Sequence, residues 1–85
     1  MVKVKAYNYE SAVSEAVEGT LELVRRRLSE GWYDYAPTLE TVQSMAYRAL
    51  IRRWNKAVVR EGARAKRDTY AQVQDKYIDM LEASL

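Results

Sequence analysis

Residues 47–67 read YRALIRRWNKAVVREGARAKR, and eight of these 21 residues are Lys or Arg against the lone carboxylate of Glu61. Six of the eight are Arg, whose planar guanidinium bonds phosphate oxygens in pairs. Arg48, Arg52, Lys56, Arg60 and Arg64 recur at four-residue intervals, Arg53 sits among them, and Lys66 and Arg67 follow. On a helix this spacing lays the cations along one side. A 23-residue helix is about 35 Å long, enough to track several phosphates of a nucleic-acid backbone. The chemistry on offer is electrostatic recognition of a polyanion. The bland counterpart is a solvated helix face, the usual fate of charge runs in small helical proteins.

Other chemistries find little to work with. The chain has no cysteine and no histidine. Disulfides, thiolate metal sites and His-based acid–base catalysis are therefore excluded. No serine has a histidine to activate it. Neither GxxxxGK[ST] nor GxGxxG occurs, and neither HExxH nor an EF-hand loop is present. Glu15, Glu18 and Glu22 share a helix face, but Arg25 and Arg26 beside them mark ordinary solvating charge rather than a metal site. A carboxylate pair for glycoside hydrolysis needs a cleft that a chain of 85 residues is small to provide. The expectation is a non-enzymatic protein without a cofactor.

The stretch TLETVQSMAYRALIRRW has the flavour of a helix-turn-helix but lacks its turn. From Leu39 to Trp54 there is no Gly, Pro, Asn or Asp. It reads as one uninterrupted helix, so a bound nucleic acid is expected to be held by its backbone with little base readout.

Charge is segregated along the chain. The formal net of +2 divides into +7 for residues 48–67, −2 for residues 1–47 and −3 for residues 68–85. Asp68, Asp75, Asp79 and Glu82 form an acidic stripe after the basic one. The two stripes can meet within one chain as exposed ion pairs, each worth about 0–1 kcal/mol. Between chains they can set the register of an oligomer.

The elements that position these residues follow from periodicity. Asn8 is an N-cap, and Val13, Val17, Thr20, Leu21, Val24 and Leu28 make one apolar stripe, with Gly31 as the stop. That predicts a helix over 9–30. Thr38 caps a second helix over 39–61, in which Tyr47, Leu50, Ile51, Trp54, Ala57 and Val58 fall within an arc of about 120° opposite the arginines. After Gly62 the apolar seam shifts to Tyr70, Val73, Tyr77, Met80 and Leu81, which predicts a break near Gly62 and a third helix over 65–83. A single long bent helix is the competing arrangement. Residues 1–7 alternate apolar and polar, the pattern of a short strand or an extended arm. The fold expected is all-α, residues 1–85 as one helical domain, a small bundle or hairpin of three amphipathic helices.

Between the first two helices lies GWYDYAPT, with Trp32, Tyr33 and Tyr35 within four residues. Aromatic clusters are usually core, so the first expectation is a plug closing one end of the bundle. The sharper one is a partner-docking surface, since exposed aromatics anchor interfaces. A domain this small is marginal on its own, which points to a homo-oligomer. No apolar run approaches the roughly 18 residues of a membrane span. The expectation is a soluble, intracellular protein that binds DNA or RNA through Arg48, Arg52, Arg53, Lys56, Arg60, Arg64, Lys66 and Arg67. The alternative is a protein–protein assembly subunit, such as a small virion component or a host-factor inhibitor, that binds no nucleic acid.

Overall fold

The computed structural model describes residues 8–83, with the side chains of residues 55–60 excepted; the strand-or-arm expectation for residues 1–7 lies outside the described residues. Three helices pack against one another: α1 (Tyr9–Ser29), α2 (Leu39–Glu61) and α3 (Ala63–Ala83).

Local chemistry sets the ends of α1. Asn8 is extended, and its Oδ1 accepts from the Ser11 amide at 3.0 Å, satisfying one of the orphan donors of the first turn. At the other end the Trp32 amide donates to the Arg27 carbonyl at 2.9 Å and the Gly31 amide to the Leu28 carbonyl at 3.2 Å. This is the paired bonding of a Schellman motif. It requires a left-handed residue, and Gly31 supplies it at φ 78°. At the start of α2 the Thr38 Oγ1 accepts from the Thr41 amide at 3.2 Å.

Cross-helix contacts fix the topology. Glu15 lies beside Arg53, and Gln43 donates from Nε2 to the Tyr70 carbonyl, so α2 runs antiparallel to both neighbours. Tyr9 meets Asp68 and Glu18 meets Lys76, so α1 and α3 run parallel. The result is an up-down-up bundle. Its turn end holds the start of α1, the end of α2 and the start of α3. Its loop end holds the end of α1, the 30–38 loop and the ends of α2 and α3 that flank it.

The core is made of small side chains: Ala12, Val13, Val17, Leu21 and Val24 from α1, Val42, Ala46 and Leu50 from α2, and Ala65, Val73 and Tyr77 from α3. Tyr77 and Leu50 are its largest fully buried members. The Tyr77 hydroxyl donates to the Pro37 carbonyl at 2.7 Å and ties the loop to α3. Tyr47 and Tyr70 meet edge to face, their centroids 6.4 Å apart, and seal the outer α2–α3 seam.

The change of seam is absorbed at two places rather than one. Gly62 separates α2 from α3 at φ 51°, as its position predicts, and α3 begins two residues before the expected start, at Ala63. Trp54 also leaves helical geometry, at φ −123° and ψ 31°. No proline or glycine announces this kink, and it divides the residues before Trp54 from those after it.

Gly19 lies inside α1 on the exposed side, with open space where a Cβ would stand. Glycine there costs helix stability with no packing reason. Gly19→Ala is expected to raise unfolding stability by about 0.5–1 kcal/mol, read as an upward shift of the thermal midpoint.

Candidate nucleic-acid interface

The cations divide by the company they keep. Arg48 and Arg52, one helical turn apart on α2, are exposed, and neither takes part in an ion pair among the described residues. Inward-facing Leu50 between them holds both on the outer side of the bundle. Arg53, one position further, turns toward α1, with Nη2 3.6 Å from Glu15 Oε2 and its guanidinium over the Trp54 ring. Lys56 and Arg60 belong to the segment of α2 beyond the kink.

The first turns of α3 are knit to α1. The Arg64 guanidinium stacks on the Tyr9 ring at 4.3 Å and reaches Glu61 at 3.3 Å and Asp68 at 3.6 Å. Arg67 Nε lies 3.5 Å from Asp68. The Tyr9 hydroxyl donates to Asp68 Oδ2 at 2.6 Å. Lys66 lies over the Tyr70 ring at 5.6 Å. The sequence expectation of one uniform ridge is therefore corrected: Arg53, Arg64 and Arg67 take carboxylate partners from their own chain, and the Trp54 kink interrupts the four-residue ladder.

The Tyr9 hydrogen bond, with the neighbouring Arg67 and Arg64 guanidiniums, holds the Asp68 carboxyl below its ordinary value of 3.8. Burial and the Asp68 carboxylate push the Tyr9 phenol well above its ordinary 10.0. For Asp68 the lowered value means a stabilisation present above pH about 4 and lost as pH falls through the folded-state value. Tyr9→Phe is expected to move the Asp68 titration, followed by carboxyl NMR, back toward 3.8. It is also expected to flatten the loss of stability on the acid side. An unshifted Asp68 would show that the hydroxyl does not set its charge.

Only Asp68 of the acidic stripe joins this end. Asp75, Asp79 and Glu82 are exposed toward the loop end. Three of the four carboxylates of α1 each face a cation: Glu15 meets Arg53, Glu18 meets Lys76 at 3.5 Å and Glu22 meets Arg25 at 2.6 Å. Among the described residues no group of acidic side chains is arranged to hold a metal ion.

The loop aromatics do not close the bundle. Trp32 is 66% and Tyr35 88% exposed, while Tyr33 is half-buried near Tyr77. Trp32 is held from one side by the Arg27 guanidinium, 4.8 Å from the ring centroid. The plug expectation fails for Trp32 and Tyr35: the aromatic buried at that end is Tyr77, bonded to the Pro37 carbonyl. Next to them an apolar groove of about 700 Å³ opens between the ends of α1 and α3. The sequence reading missed this groove, as it missed the Tyr9–Asp68–Arg64 cluster, whose members lie up to 59 residues apart and share no local pattern.

No helix among the described residues is long and apolar enough to cross a membrane. The chain is thus a small three-helix bundle with a cation-rich turn end and an aromatic loop end. Comparison with protein-family models, with curated proteins and with solved structures returns no match.

Proposed function

We propose that this is a non-enzymatic, intracellular nucleic-acid-associated protein that binds the phosphate backbone through the cations of α2 and the start of α3. The observation that carries this reading is a charge imbalance the fold does not resolve. Of the six cations between Arg48 and Arg67 whose side chains are described, Arg53, Arg64 and Arg67 take carboxylate partners, while Arg48, Arg52 and Lys66 make no ion pair among the described residues. Helix stability does not call for them either. The first turn of α3 holds Arg64 and no acidic residue, and Lys66 and Arg67 follow at once. That is the positive end of the helix dipole, where cations are unfavourable. The pairs that do form are exposed and exchange readily for phosphate oxygens.

Recognition of this kind reads charge rather than sequence and acts from a self-associated protein, since one small domain offers few phosphate contacts. The test is retention of mixed-sequence DNA and RNA duplexes across a salt series. Binding is expected to weaken with a log–log slope of about −0.9 per phosphate neutralised, with little sequence preference. No retention at moderate salt would overturn the reading.

The exposure of Trp32 and Tyr35 favours a second reading, an assembly subunit that binds only protein. It predicts no gel shift and loss of assembly when Trp32 or Tyr35 becomes Ala.

A further inference from the structure

At the loop end, Leu28 from α1, Ala36 from the loop and Ile78 and Leu81 from α3 line the apolar groove of about 700 Å³, with Arg25 on one wall and Glu82 on the other. Ile78 is 44% exposed within a helix whose other large apolar residues are at least half-buried. We infer that this groove is the contact surface for a second copy of the chain, related to the first by a two-fold axis. The inference specifies the self-association named above, yet it stands on the opposite end of the bundle from the nucleic-acid reading.

Charge selects the occupant. The α1 wall carries the cation Arg25, paired with Glu22 of its own helix, and the α3 wall the carboxylate Glu82, with Asp75 and Asp79 exposed on the same helix. With the two-fold axis running along the groove, α1 of one protomer lies against α3 of its partner, and the reverse holds across the axis. Arg25 of each protomer then meets Glu82 of the other, twice, around a shared apolar centre. Arg25 is available for this, because its present partner Glu22 is an exposed neighbour one turn away. A nucleic-acid strand would be repelled by the three carboxylates of α3. A small apolar ligand would make no use of Arg25 and Glu82 on the opposite walls of the groove, whereas a second copy pairs both.

The test is sedimentation equilibrium of the full chain over a concentration series, with circular dichroism to confirm that each variant stays helical. Wild type is expected to be a dimer at micromolar concentrations. Ile78→Asp, Arg25→Glu and Glu82→Arg are each expected to raise the dimer dissociation constant about ten-fold or more. The double variant Arg25→Glu/Glu82→Arg restores both charge contacts in reversed sense and is expected to return close to wild type. A wild-type monomer at high micromolar concentration overturns the inference. So does a dimer indifferent to Ile78→Asp, or a double variant no tighter than its singles. The same variants in the salt-series assay keep the two ends apart. A monomeric Ile78→Asp protein that still binds nucleic acid leaves the basic-end reading standing, whereas a dimer that retains none overturns that reading alone.

Discussion

Leu50→Ala is expected to destabilise the domain by about 2–5 kcal/mol. At roughly 0.05–0.15 kcal/mol per residue, a domain of this size has only about 4–13 kcal/mol to lose. Leu50 has no exposed surface, and the fully buried core it belongs to is mostly Val and Ala. Small β-branched neighbours have little freedom to swing into a vacated volume, so a cavity is left behind. Urea unfolding should show a much lower midpoint at an unchanged slope. Ile51→Ala, one position further on the partly exposed flank, should cost clearly less. A Leu50→Ala cost below about 1 kcal/mol would mean that Leu50 is not packed in the core. The prediction bears on function as well as stability, because Leu50 is what aims its neighbours. With position 50 inward, positions 48 and 52 lie about 200° away on either side and face out.

The helices and their caps were legible because they rest on local chemistry. Asn8, Thr38 and Gly31 act within four residues of themselves, and the stripe from Val13 to Val24 is a property of one helix alone. What periodicity cannot report is which helix a face is pressed against. Arg53 and Arg52 look equivalent in the sequence, yet one step of 100° turns Arg53 to Glu15 and leaves Arg52 outside. Asp68 reads as the first member of an acidic stripe, and parallel packing of α1 and α3 instead hands it to Tyr9. The Trp54 kink has no proline or glycine behind it, and Asn55, the residue that follows, is too weak a breaker by itself to mark where the four-residue ladder would bend. The aromatics of the loop misled for a related reason. Aromatic rings are usually buried, but the space they would have filled belongs to Tyr77, whose place is set by α3.

Arg48→Glu/Arg52→Glu is expected to abolish nucleic-acid retention while leaving the fold intact. Both side chains are exposed and make no ion pair among the described residues, so the double reversal removes no described contact. Surface changes of that kind usually stay within about 0.5 kcal/mol. Unfolding midpoint and helix content should therefore match wild type. Binding should not, because two phosphate partners are replaced by two like charges that repel the strand. The milder Arg48→Gln/Arg52→Gln pair measures the count directly: its log–log salt slope should be shallower by about 1.8, two phosphates at 0.9 each. Arg64→Gln makes the contrast. It removes a cation too, but it also frees Asp68 and Glu61 and uncovers Tyr9, so it should lower stability together with affinity. If affinity follows stability across the three variants, the arginines serve the bundle. If Arg48→Glu/Arg52→Glu loses the nucleic acid at full stability, they serve a ligand outside it.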